Sequence, residues 1–276
     1  DFRAGEETAA LQRGLGSFQP AVVIVFRPEI LPAHFFDDIQ ALTVGFLTEP
    51  LPRAVGRSHP DLKRRLAYLK QVDAGQYDRI VSFDPLFSES INGTLDVWRS
   101  IPLPVSDLLY RDVGHQNRPP KVYFIGRSSK HRELWLGDAK HNFNILHIAH
   151  GIDGQELREF MDGVDVSINI HNEKYPSFEN RVSLSLAAGQ LVLSESLSPT
   201  HGLEPGIDFV QLDTPADLVA TLTHLHNHPD LYRRIRIMGR MKAEYFRASL
   251  VYPRLFHDLM WDFATFGTER RACSGA

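Results

Sequence analysis

The chain is poor in cysteine, in long apolar runs and in charge of one sign, and each shortage excludes a class of protein. Of 276 residues one is cysteine, Cys273, in a polar stretch at 267–276 that reads as a flexible tail. A single thiol forms no intrachain disulfide, and its place in a tail argues against a thiolate metal site or a cysteine nucleophile. No apolar run reaches the roughly 20 residues that a membrane-spanning helix needs. The opening residues, among them Asp1, Arg3, Glu6 and Glu7, lack the apolar centre of a signal peptide. The chain starts on Asp1 rather than methionine, as a trimmed or partial chain would. These features lead to the expectation of a cytoplasmic protein. With 34 acidic and 30 basic residues, the formal net charge of -4 offers no general attraction to nucleic acid or to an anionic membrane. No G-x-G-x-x-G follows any apolar run, which argues against a nicotinamide-cofactor dehydrogenase. Repeats and low-complexity tracts are absent as well.

What is present is the makeup of a globular protein with a sizeable core: 43% hydrophobic, 10% aromatic and 23% charged residues. Short apolar runs alternate with amphipathic stretches, the pattern of an α/β protein with parallel sheets. Strands are predicted at 21–26, 42–47 and 79–83, with a helix at 61–72 where Leu62, Leu66 and Leu69 recur at helical spacing. Each of these strands runs into a polar, proline-marked loop, and in open α/β sheets such carboxyl-end loops bind ligands. Two proline-rich stretches, 101–105 and 116–120, then flank a region without clear periodicity, and the second reads as a linker. The domain boundary is therefore expected near Pro119: one domain at 1–118, a second at 119–266, and the tail.

The alternation restarts after Pro120. Strands are predicted at 121–125, 144–149, 164–170, 190–194 and 209–212, and helices at 128–140, 154–161, 180–188, 215–225, 229–246 and about 252–266. The expected architecture is α/β with two Rossmann-like domains facing a cleft, the first of them short.

Two segments carry chemistry. At the junction Phe124-Ile125-Gly126-Arg127-Ser128-Ser129-Lys130-His131-Arg132, a glycine lets the backbone approach a ligand, and the next helix offers free N–H groups at its positive end. Arg127, Lys130 and Arg132 stand where they could neutralise a diphosphate; a solvated basic helix start is the plainer alternative. In the second segment, the predicted strand at 164–170 runs into a loop dense in hydrogen-bonding groups. Asn169 and His171 lie on an edge that wants partners, and Asn180 with Arg181 opens the next helix. The plainer alternative there is a structural loop with Asn180 as an N-cap. Glu195, after the following strand, could accept hydroxyl hydrogen bonds or simply lie at the surface.

The succession Phe-Ile-Gly-Arg, Val-Ser-Ile-Asn-Ile-His, Asn-Arg-Val with Leu-Ala-Ala-Gly, and Leu-Val-Leu-Ser-Glu resembles the C-terminal half of the GT-B glycosyltransferases. Within them it looks most like the spore-maturation, CgeB-like branch of the group 1 family. The resemblance covers about residues 121–263 and continues through Gly206-Ile207-Asp208 and His228-Pro229-Asp230. It implies a nucleotide-sugar donor site in the second domain, an acceptor site in the first, and no metal or other cofactor. By this resemblance Arg127 and Lys130 hold the diphosphate and Asn169, Asn180 and Arg181 line the same pocket; Gly126, Arg132, His171 and Glu195 join them as donor-site candidates from the reading of the residues themselves. The last helix resembles one that braces the first domain.

The chain departs from the family twice. Related proteins read Arg-Val-Phe-Glu where this chain has Arg181-Val182-Ser183-Leu184, and a leucine cannot accept from a ribose hydroxyl as that glutamate does; Glu179 or Glu195 could serve instead. The first domain also lacks an opening strand with a glycine-rich turn. The expected activity is transfer of a sugar from a nucleotide diphosphate to an acceptor hydroxyl, of a glycan, protein or small molecule. Arg127 and Lys130 would stabilise the leaving charge, and Glu29, Glu49 or Asp84, each following a first-domain strand, would be the general base. The alternatives are a non-catalytic binding or scaffolding protein of the same fold, favoured by Leu184, and a sugar-nucleotide epimerase of related architecture.

Overall fold

The computed structural model describes residues 7–53, 55–56, 58–87 and 95–267; Cys273 and most of the tail lie outside them. The chain divides into two compact units, Asp1–Leu103 with Arg254–Ala276, and Pro104–Pro253. The proline stretch at 116–120 thus falls within the second unit.

The first unit holds a four-stranded parallel sheet in the order β1-β2-β3-β4: β1 Val22–Phe26, β2 Leu42–Leu47, β3 Arg79–Ser82 and β4 Arg99–Ser100. Pairing Ile24 with Val44 and Phe46 with Val81 places the apolar runs side by side. Val44, Phe46 and Val81 are fully buried, so the central strands read as continuous hydrophobic runs, as parallel strands covered on both faces do. Helices α1 (Ala9–Phe18) and α2 (Pro60–Leu69) belong to this unit. The sequence reading did not anticipate α1: Gly14 and Gly16 weaken its helical signal, and none of its residues is buried. Arg27, directly after β1, adopts a left-handed φ of 64°, a conformation glycine takes more readily.

The second unit carries a five-stranded parallel sheet in the order β6-β5-β7-β8-β9. Its strands are β5 Val122–Ile125, β6 Ile145–Ile148, β7 Val166–Asn169, β8 Leu191–Ser194 and β9 Val210–Gln211. The helices in chain order are α3 Lys130–Asn142, α4 Gly154–Asp162, α5 Asn180–Ala187, α6 Pro215–Asn227, α7 Arg233–Lys242 and α8 Ala248–Phe266. Phe124, Leu136, Val166, Ile168, Leu193 and Leu218 form the fully buried centre of this unit's core. Thr214 and Asp217 close a reciprocal capping box on α6.

Two helix expectations need correction. The predicted helix at 229–246 is α7 followed by a tighter 3₁₀ turn, Ala243–Phe246, and residues 229–232 stand outside it. The break has a tertiary cause: Tyr110 Oη donates to the carbonyl of Ala243 at 2.8 Å, drawing that group away from the helical ladder. The last helix begins at Ala248 and runs through Pro253, which lies inside it. From Arg254 onward it belongs to the first unit, where Asp262 accepts from Arg79 Nε at 2.6 Å and from Trp98 Nε1 at 3.1 Å.

Candidate functional site: a cationic edge where the strand order reverses

In the second sheet β6 lies on one side of β5 and β7 on the other, so the order of strands turns back at the β5–β7 pair. Beyond the carboxyl ends of two such strands the connecting loops part and leave a crevice, the usual ligand position in open α/β sheets. Both chemistry-bearing segments of the sequence meet here.

Gly126 follows β5. A methyl group on its Cα would lie 3.0 Å from Phe124 Cζ and 3.1 Å from Arg132 Nη1, so the absent side chain is what lets the guanidinium pack against the strand end. Arg132, at the third position of α3, is 4% exposed. Its Nε donates to Ile170 O at 3.0 Å and its Nη1 to Arg127 O at 2.8 Å, so one planar fork joins the loops after β5 and β7. No carboxylate lies within ion-pairing distance of it among the described residues. Burial first, then the neighbouring Arg181, pulls its pKa down to about 10, against the opposing pull of Glu179 and Glu195. Arg127 and Lys130 stand exposed, with no side-chain partner among the described residues. Ser129 caps α3 by accepting from Arg132 N, and its hydroxyl donates to Asn172 O at 2.8 Å.

Asn169 ends β7 fully buried. Its Oδ1 accepts from Arg181 Nη1 at 3.2 Å and its Nδ2 donates to Ser194 Oγ at 2.8 Å. Arg181 lies 3.5 Å from Glu179, and burial lowers its pKa although Glu179 supports the charge. The guanidinium carbons of Arg132 and Arg181 each sit 5.3 Å from the centroid of the Phe124 ring, so one aromatic serves two cations. Burial raises the Glu179 carboxyl, but Arg181, Arg132 and His171 outweigh it and leave the group below its ordinary value.

His171 is 2% exposed. Its backbone N–H donates to Glu195 Oε2 at 2.7 Å, its Nε2 faces Ser196 O at 2.8 Å, and its Nδ1 lies 3.1 Å from Ser177 Oγ. Burial lowers its pKa against the pull of Glu195. The other oxygen of Glu195 meets His131 Nε2 at 2.8 Å, so Glu195 ties the first turn of α3 to the ends of β7 and β8. Asn180 opens α5 with an exposed side chain, and Glu179 rather than Asn180 is the N-cap residue. Four cations, Arg127, Lys130, Arg132 and Arg181, thus stand at this edge with two carboxylates, Glu179 and Glu195.

The structure therefore brings Gly126, Arg127, Lys130, Arg132, Asn169, His171, Asn180, Arg181 and Glu195 to one edge of one sheet. The sequence reading did not single out Ser177, His131 or the ring of Phe124; Ser177 lay unremarked in a loop already chosen for its polarity. Where the resemblance led to the expectation of a ribose contact, the Ser183 hydroxyl donates to Asn180 O at 3.0 Å, and neither it nor Leu184 offers a carboxylate. Glu179 and Glu195 are engaged as just described.

The three carboxylates named as bases stand in the first unit, each against an arginine. Glu29 accepts from Arg27 Nε at 2.9 Å, Glu49 from Arg65 Nη1 at 2.8 Å, and Asp84, fully buried, from Arg53 and from Leu86 N. The Glu49 side chain is 57% exposed.

No family model matches the chain, and neither does any curated protein. Solved structures do. HepE from Anabaena in complex with UDP-glucose matches with a TM-score of 0.60 at 9% identity, over 92% of this chain and 82% of HepE. Sucrose-phosphate synthase from Thermosynechococcus elongatus matches with a TM-score of 0.62 at 12% identity, over 93% and 77%. TarM matches with a TM-score of 0.59 at 10% identity, over 90% of this chain and 57% of TarM. These neighbours are GT-B glycosyltransferases, and the likeness establishes the fold of this chain as GT-B, α/β with two parallel sheets.

Proposed function

We propose that the chain transfers a sugar from a nucleotide diphosphate to an acceptor hydroxyl. The observation that carries this reading is the excess of positive charge at the β5–β7 edge, where, among the described residues, Arg132 is buried without a carboxylate partner while the side chains of Arg127 and Lys130 are exposed without partners. A buried cation held only by neutral acceptors is costly unless an anion completes its surroundings. A helix N-terminus beside it makes a phosphate the natural anion. That HepE is seen in complex with UDP-glucose supports a nucleotide sugar as the molecule bearing it. Arg127 and Lys130 would hold the diphosphate directly and meet the charge growing on it as the glycosidic bond breaks. Arg132 and Arg181 would act from beneath, and Asn169 would orient Arg181. The acceptor hydroxyl is assigned to the first unit, with Glu49 the base to test first because it is the most exposed of the three. The reading includes no metal and a cytoplasmic setting.

Calorimetric titration with UDP-glucose, GDP-mannose, TDP-glucose and CDP-glucose tests the proposal. One of them is expected to bind, and the Arg127→Ala, Lys130→Ala double variant to bind it at least ~10-fold more weakly, about 1.4 kcal/mol. Unchanged affinity in the double variant would remove the diphosphate assignment. Leu184 favours a second reading, a GT-B protein that binds a nucleotide sugar without turning it over. Release of the nucleoside diphosphate only when an acceptor is supplied separates the two.

A further inference from the structure

Between Glu179 and His171 lies a hydroxyl with one proton and an acceptor on either side. Ser177 Oγ is 3.1 Å from Glu179 Oε1 and 3.1 Å from His171 Nδ1. The Nε2 of His171 faces a backbone carbonyl, Ser196 O at 2.8 Å, and a carbonyl only accepts, so Nε2 carries a proton. In a neutral imidazole Nδ1 is then bare. The single Ser177 proton goes either to Nδ1 or to the Glu179 carboxylate, which also stands 3.5 Å from Arg181; when it goes to Glu179, Nδ1 is left without a donor. One more proton, on Nδ1, completes the chain: Nδ1–H donates to Ser177 Oγ, and Ser177 O–H donates to Glu179.

The groups facing His171 decide when that proton enters. Burial opposes it most; Glu195, after β8, the Ser196 carbonyl and Glu179, before α5, favour it, and Arg181, on α5, adds a smaller opposition. Arg132, on α3, acts on the same cluster through Glu179, and His131, also on α3, shares Glu195 with His171. The segment around His171 is fastened to the anion edge on both sides. Ile170 O accepts from Arg132, and Asn172 O from Ser129 at the cap of α3.

We infer that His171 is the proton-accepting residue of the donor site: when a nucleotide sugar places its diphosphate at the α3 edge, His171 takes one proton from solvent on Nδ1, and Ser177 passes the bond on to Glu179. Burial is the larger barrier to that proton and the field of Arg181 the smaller; an anion there offsets the second, so occupancy and protonation support one another. This rests on the donor-site reading. It adds that affinity depends on pH through a residue placed behind the phosphate-facing side chains.

The test uses the intact protein and the same four nucleotide sugars, whose esterified diphosphates do not titrate near neutrality. Binding enthalpy is measured at pH 7.5 in buffers of differing ionisation enthalpy. A positive proton uptake, between zero and one, is expected, with affinity weakening by up to ~10-fold per pH unit above the free-state midpoint. His171→Gln abolishes the uptake, and Ser177→Ala reduces it. In the unsubstituted protein, ¹⁵N spectra of the His171 ring are expected to show a neutral Nε2–H form alone and both nitrogens protonated on saturation, so the inference holds or fails even if a variant does not fold. Binding with zero uptake between pH 6.5 and 8, or uptake that persists in His171→Gln, overturns this inference and leaves the donor site standing. Failure of all four compounds to bind overturns both.

Discussion

Replacing Arg132 with methionine separates a residue kept for binding from one kept for stability. The side chain is 4% exposed and has neutral acceptors only, Ile170 O, Arg127 O and Asn172 Oδ1. Burial and Arg181 lower its pKa to about 10, so keeping the charge folded costs roughly 3 kcal/mol at neutral pH, at about 1.4 kcal/mol per unit. The sign follows from linkage: the unfolded chain binds this proton more tightly, so the penalty is fully present below about pH 10 and is relieved only above it. Methionine fills a similar volume and removes that penalty, but it orphans two buried carbonyls, each costing about 1–3 kcal/mol. The two effects are of similar size and opposite sign, and the expected net change in unfolding free energy lies within about 2 kcal/mol of zero. The binding effect has no such offset. A unit charge ~6 Å from a phosphate, at an effective dielectric constant of ~20, contributes about 3 kcal/mol, roughly 100-fold in affinity. Urea unfolding and nucleotide-sugar calorimetry on Arg132→Met measure the two quantities. Affinity retained within threefold, or a stability loss beyond about 4 kcal/mol, would show that Arg132 is a structural strut and would refute the charge argument.

Three further outcomes are expected. Gly239→Ala places a methyl group 2.3 Å from Asp208 O and 2.7 Å from Leu186 Cδ2, at a point where α7 nearly touches backbone; a loss of ~3 kcal/mol or more in urea unfolding is expected, and a loss below 1 kcal/mol would mean α7 can shift freely. Asp262→Asn leaves the buried Arg79 facing a neutral amide where the end of α8 meets β3, expected to cost ~2–4 kcal/mol; unchanged stability would remove this contact from what anchors the helix. Because burial lowers the pKa of His171, the unfolded chain takes up that proton first on acidification, so stability is fully present above about pH 6.5 and falls below it. Unfolding curves from pH 8 to 5 should show that slope, and His171→Gln should flatten it.

The strands were legible because parallel pairing demands continuous apolar runs, and the run at 42–47 is β2 residue for residue. What escaped the reading had no local signature. β4 is two residues long and exists because β3 offers it a parallel partner, and α7 stops where Tyr110, over a hundred residues away, takes the Ala243 carbonyl. The site was legible as two polar loops but not in its layering. Arg127, Lys130 and Arg132 look like one basic trio in sequence, yet the first two face solvent and the third is buried. Spacing carried that distinction: Arg132, Trp135, Leu136 and Ala139 recur at helical intervals and form the buried face of α3. An arginine in that stripe is costly unless it is paired with a carboxylate, held by backbone carbonyls as Arg236 is by Gly189 and Gly114, or completed by an anion. Since no carboxylate pairs with it among the described residues, its position within the hydrophobic face points more firmly to an anion at this edge than the count of basic residues around it does.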